Sequence, residues 1–165
     1  MAFAPRLVLP PRPPAPPAAS VRPNGGRTAP ELSGPTPRVV VVTSGKGGVG
    51  KTTTTANLAA SLARLNFPVV AIDADAGLRN LDLLLGLENR VHLTAADVLA
   101  GDCRLDQALI RHRSLQGLHL LCLSKPRSKL PLAFGSKTLT WVADALRRSA
   151  TPPAFILIDC PAGQA

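Results

Sequence analysis

Thr43-Ser-Gly-Lys-Gly-Gly-Val-Gly-Lys-Thr-Thr53, TSGKGGVGKTT, follows directly on the run Arg38-Val-Val-Val-Val and precedes leucines at 58, 62 and 65. Gly45 to Thr52 fits G-x-x-x-x-G-K-[ST] in full. Glycine is needed there because consecutive backbone N–H groups must curl around phosphate oxygens, and side chains would block the approach. A buried strand before the loop and an amphipathic helix after it complete the required setting, with the positive end of the helix aimed at the anion. The phosphate-binding residues are therefore Gly45, Lys46, Gly47, Gly48, Val49, Gly50, Lys51, Thr52 and Thr53. Lys51 neutralises charge at the β- and γ-phosphates, and the Thr52 hydroxyl is a magnesium ligand, since Mg2+ prefers oxygen donors. Lys46, a second lysine near the front of the loop, is not explained by this pattern.

Working outward, the β-branched run at 38–42 reads as a strand buried on both faces. A helix is predicted from Thr52 to Leu65, with Asn66 in a left-handed cap position and Pro68 preventing continuation. Pro68 to Asp73 is a second buried strand, and leucines 81, 83, 84 and 85 form a short element of undetermined type. Thr94 and Asp97 are spaced for a capping box ahead of a short helix ending at Ala100. Leu105, Ala108 and Leu109 predict another helical turn, and residues 118–123 a third strand. Residues 124–136 read as loop, Leu139 to Arg148 as an amphipathic helix, and Ala154 to Asp159 as a fourth strand. Strands alternating with helices predict an α/β fold, a mostly parallel sheet with helices on both faces.

Three carboxylates end strands. Asp159 closes Phe-Ile-Leu-Ile-Asp, and an acid at the carboxyl end of a parallel strand reaches the crevice where such sheets bind ligands. It is expected to hold a magnesium-bound water. Asp73 and Asp75 end the second strand, Asp73 as an outer support of the magnesium site and Asp75 to orient an attacking water. The catalytic candidates read from the residues themselves are thus Lys51 and Asp75. Solvated turn residues are the plain alternative for Asp73 and Asp75.

Composition divides the chain of 165 residues unevenly, because 11 of its 17 prolines precede Arg38. Residues 1–37 also carry Arg6, Arg12, Arg22 and Arg27 against a single acid, Glu31, and lack any helical or strand period. They read as a disordered Pro/Ala tail or an organelle transit peptide; the proline content, opposing an amphipathic helix, favours chloroplast over mitochondrion. Residues 38–165 form the folded part. The net charge of +9 is partly the tail and otherwise scattered, and with four Phe and one Trp no stacking platform for nucleic acid emerges. Cys103, Cys122 and Cys160 have neither zinc nor disulfide spacing.

Lys46 together with Lys51, in KGGVGKT, resembles the deviant Walker A motif of the ParA/MinD ATPases. The resemblance implies ATP and Mg2+ as cofactors. It also makes Lys46 the signature lysine, which crosses the interface of an ATP-dependent homodimer to the partner's phosphates. Residues 73–110 look like the MinD branch. Gly77-Leu-Arg-Asn-Leu-Asp82 stands where its switch I lies, and Ala76-Gly77 replaces the Pro-Gln usual in DNA-partitioning ParA proteins. Asp159-Cys-Pro-Ala-Gly163 matches the close of the Walker B strand.

With the leader, the likeness implies a plastid MinD-type ATPase placing the chloroplast division site, in the stroma with peripheral association to the inner envelope. A MinE-type activator would stimulate hydrolysis. Members of the family continue well beyond the equivalent of Ala165, so the chain matches a P-loop domain truncated after the Walker B strand. The missing part would supply further strands, adenine contacts, part of the dimer face and the C-terminal helix that attaches to membrane; no membrane contact is assigned to residues present here. A sheet cut midway exposes a strand edge and apolar surface, so low stability and little turnover are expected of the chain alone. Two other readings stay open: a ParA-type DNA-partitioning ATPase, and a non-catalytic fragment acting by mixed dimerisation.

Overall fold

The computed structural model describes residues 36–75, 80–124 and 134–163, with side chains in the last segment from Lys137 onward. Strands β1 (Arg38–Val42), β2 (Val69–Asp73), β3 (Ile110–Arg111), β4 (Leu118–Cys122) and β5 (Phe155–Asp159) form one sheet ordered β1-β5-β2-β4-β3. All neighbours are parallel except β3 and β4, which pair antiparallel through Ile110 with Leu120 and Arg111 with His119. The helices are α1 (Lys51–Arg64), α2 (Leu81–Leu84), α3 (Ala95–Ala100), α4 (Leu105–Ala108) and α5 (Phe134–Arg147), with a 3-10 turn at Glu88–Arg90.

Strand alternation sorts the core onto two faces. Val69, Ala71, Leu118, Leu120 and Leu157 pack with Ala56, Ala59 and Ala63 of α1 and with Leu81, Leu85 and Leu87 around α2. Their sequence neighbours Val70, Ile72, Leu121, Ile156 and Ile158 pack with Val142, Ala143 and Leu146 of α5 and with Ala95 and Ala108. The expected layering, helices on both faces of a mostly parallel sheet, is therefore present. Asn66 takes φ 65° at the end of α1, as its cap role requires. The Thr94 backbone N–H donates to Asp97 at 2.8 Å, starting α3 as a capping box.

Three expectations are corrected. The run at 38–42 is not buried on both faces: β1 is an edge strand, and Val39 and Val41 are 38% and 53% exposed. Its β-branched composition suits a strand but says nothing of its place in the order. A fifth strand, β3, was not foreseen because two residues are too short for any period. Residues 134–136 belong to α5, although Gly135 and the prolines upstream read as loop. The proposed leader up to Pro35, residues 76–79 of the switch-like stretch, residues 125–133 and the last two residues lie outside the described residues. Among the described residues no helix is long and apolar enough to cross a membrane.

Candidate functional site

The parallel register brings the carboxyl ends of three strands together. Val42 pairs with Asp159, and Asp159 with Asp73, so the loop leaving β1 starts beside Asp159, with Asp73 level on the next strand. The Cys160 N–H donates to the Val42 carbonyl at 3.0 Å and that of Gly163 to the Ser44 carbonyl at 3.0 Å, fastening the turn after β5 to the start of the loop.

Within the loop Gly48 and Gly50 have φ of 73° and 92°, a left-handed conformation that L side chains resist. Added β-carbons at Gly45, Gly47, Gly48 or Gly50 would meet nothing within 4 Å. Gly48 and Gly50 are thus required by backbone conformation, and crowding from the protein constrains none of the four. Gly50 is the N-cap of α1; no side chain caps the helix, and its first turn holds no acid. The first N–H groups of α1 are therefore capped by no side chain, which suits a phosphate. Ser44 Oγ donates to the Lys46 carbonyl at 2.6 Å, fixing the backbone under an exposed Lys46.

Beneath the loop sits a set of acids. Asp159 is buried, and burial raises its pKa; hydroxyls of Thr52 and Thr55 and the nearby Lys51 ammonium oppose that rise, while Asp75 adds to it. Asp73 is pushed up to about 7, chiefly by burial, with Asp159 and Asp82 contributing. Its two carboxylate oxygens accept the backbone N–H groups of Asp75 at 3.1 Å and of Leu81 at 3.2 Å. Asp73 thereby ties both ends of the segment after β2 back to the sheet. Asp75 is half-buried and close enough to Asp159 to perturb it.

These residues suit a magnesium nucleotide. Carboxylates whose ionised form is disfavoured chiefly by burial gain from a nearby cation. Among the described residues no group of three or more His, Cys, Asp or Glu side chains could hold a metal unaided. Mg2+ takes one or two protein oxygens and completes its shell with water and phosphate.

Every sequence-predicted site residue therefore lies on this one edge of the sheet. Two contributors were missed. Ser44 precedes the motif proper, and Thr55 sits one turn into α1; the only signal for the latter was a threonine at a helix position otherwise facing the apolar side.

The CobQ/CobB/MinD/ParA nucleotide-binding domain model matches residues 40–158. The chain is 68% identical over 135 residues to the chloroplastic septum site-determining protein minD homolog of Arabidopsis thaliana, covering 81% of this chain and 41% of that protein. It is 55% identical over 126 residues to the septum site-determining protein MinD of Synechocystis, covering 76% of this chain and 46% of the relative. Among solved structures it is similar to MinD of Pyrococcus horikoshii complexed with Mg-ADP, at TM-score 0.61 and 36% identity over 78% of this chain and 50% of that one. It is also similar to the MinC:MinD cell division complex of Aquifex aeolicus, at TM-score 0.62 and 41% identity over 78% of this chain and 49% of that one. The chain spans half or less of the length of each of these relatives.

Proposed function

Since the chain belongs to the family of CobQ/CobB/MinD/ParA nucleotide-binding domains, we propose that it carries the ATP-binding part of a MinD-type ATPase acting in chloroplast division. The observation that carries this reading is a two-lysine phosphate loop starting beside Asp159 in a chain 68% identical to a chloroplastic MinD homolog. The backbone amides of Gly45 to Thr53 and the N-terminus of α1 bind the phosphates, and Lys51 neutralises their charge. Thr52 and Asp159 hold Mg2+, Asp159 through a water, with Asp73 behind them. When bound, the ion would supply positive charge to offset the negative charge developing on the transferred phosphoryl group. Asp75, held through its N–H by Asp73, orients the attacking water. Lys46 is exposed, as a cation must be if it is to enter a partner's site. There it would act as an arginine finger does, adding positive charge where the transition state gathers negative charge.

The reading extends to the rest of the switch. ATP joins two copies, a MinE-type activator accelerates hydrolysis, and a C-terminal helix attaches the full-length protein to membrane. Residues 1–37 serve as a transit peptide, placing the protein in the stroma with peripheral attachment to the inner envelope. No specific nucleic acid is involved. The test is light scattering of the protein at the length of its relatives with Mg-ATP, Mg-ADP or no nucleotide. A doubling of mass with Mg-ATP alone supports the reading. A mass unchanged by ATP while the nucleotide is bound removes the dimer switch, and salt-sensitive binding to duplex DNA would move the protein to the partitioning branch.

A further inference from the structure

Thr55 is a residue of the phosphate-loop helix whose buried hydroxyl reaches across the fold to β5. It lies one turn into α1 with no exposure to solvent, beside Ala56 and Ala59, which pack into the core. A hydroxyl placed there costs free energy unless it is hydrogen-bonded, and valine would fill the same volume without that cost. Thr55 Oγ lies 3.0 Å from the Lys51 carbonyl and 3.4 Å from Asp159 Oδ1, 104 positions away in sequence. It has one proton and two acceptors. The Lys51 carbonyl belongs to the first residue of its own helix; Asp159 is an anion, and a hydrogen bond to a charged acceptor is the stronger kind.

We propose that Thr55 is a positioning residue, whose hydroxyl, shared between the Lys51 carbonyl and Asp159, holds the Asp159 carboxylate in the orientation that receives a magnesium-bound water. The arrangement links three parts of the site through one side chain: the residue that neutralises phosphate charge, the helix whose N-terminus meets the anion, and the acid on β5. Thr52, which also bonds Asp159, is needed as a magnesium ligand. When Thr52 turns to the ion, Thr55 remains the hydroxyl that keeps Asp159 from rotating. It touches neither phosphate nor metal. Its effect is therefore on the coupling between Mg2+ and nucleotide and not on the phosphate contacts themselves. The proposal rests on the magnesium-nucleotide reading above.

The experiment measures affinity of the purified protein at the length of its relatives for a fluorescent ATP analogue, once in excess Mg2+ and once in EDTA, for the unaltered protein, Thr55→Val, Thr55→Ala and Thr55→Ser, with a thermal melt of each. The expected result is that Thr55→Val and Thr55→Ala keep their affinity in EDTA within about twofold and lose most of the gain that Mg2+ brings, roughly tenfold. Thr55→Ser, which retains the hydroxyl, recovers that gain. If Thr55→Val retains the full Mg2+ gain, the positioning role is wrong while the function stands. If all three variants lose affinity equally in both conditions along with melting temperature, Thr55 is only structural and the proposal fails. Should Val not fold, the Ala and Ser pair carries the comparison alone. A folded, unaltered protein of that length that binds no nucleotide in either condition overturns the function itself, a result distinct from the other two.

Discussion

Raising the pH from 5 to 8, with neither divalent cation nor nucleotide present, should destabilise the fold through Asp73. Burial is the main cause of its raised pKa; the N–H groups of Leu81 and Asp75 pull it back down, and Asp159 and Asp82 push it up further. The folded value is about 7 and the unfolded one 3.8. Between those values the folded chain keeps a proton that the unfolded chain has released. Stability from this group is therefore fully present below the unfolded pKa and is lost as pH rises through about 7. Each unit of separation is worth about 1.4 kcal/mol, and the part of the titration lying between pH 5 and 8 amounts to about 2.5 kcal/mol. For a domain of this size that is a fall of roughly 10 °C in Tm. Asp159, also raised, acts in the same direction. His119, lowered chiefly by burial, acts in the opposite one, its contribution being lost as pH falls. Thermal melts of the unaltered protein and of Asp73→Asn, at pH 5 and pH 8, isolate the aspartate by difference. The amide stays neutral but accepts only one of the two N–H bonds, so the variant should be about 1 kcal/mol less stable at pH 5. At pH 8 it should match or exceed the unaltered chain. Parallel pH profiles for the two proteins would refute the reasoning, because they would show that Asp73 ionises freely in the fold.

Further outcomes follow from the same geometry. Lys46→Ala, in the protein at the length of its relatives, should bind nucleotide within a few fold of normal yet lose ATP-dependent dimerisation and most hydrolysis; unchanged turnover would remove the lysine's role in the partner's site. Asp75→Ala should leave a dimer that hydrolyses slowly, seen as ATP still bound after many turnovers of the unaltered enzyme, and a normal rate would reassign the water-orienting role. Leu157, wholly buried at the centre of β5, should cost about 2–5 kcal/mol when cut to alanine, read by denaturant midpoint. A loss below 1 kcal/mol would mean that the sheet repacks around the gap.

Much of this was legible in the chain because the deciding signals are local. The loop declares itself in eight consecutive residues, and β2, β4 and β5 are short apolar runs ending at recognisable punctuation. Strand order is another matter: Arg38–Val42 and Phe155–Asp159 look equally buried as sequence, yet one is an edge and the other central. Which it is depends on how the crossovers wind, a property no single segment contains. The Ile110–Arg111 pairing is too short to leave a period, and its partner strand begins several residues later. Asp73 was legible as an acid at a strand end. That its two oxygens hold the N–H groups of Asp75 and Leu81 is visible only in the turn geometry. The contact between Thr55 and Asp159 joins residues brought together by β5 lying beside β1. Helix periodicity marks position 55 as core-facing but cannot say which anion waits there.

The central claim is that main-chain amides and Lys51 grip the phosphates of a nucleotide above Asp159, with magnesium shared between them. The most direct measurement is an equilibrium calorimetric titration of the protein with ATP, with and without Mg2+, alongside Lys51→Ala. Saturable binding that Mg2+ strengthens and Lys51→Ala abolishes is the predicted result. Absence of any magnesium-dependent affinity in the folded protein, or affinity indifferent to Lys51, would contradict it.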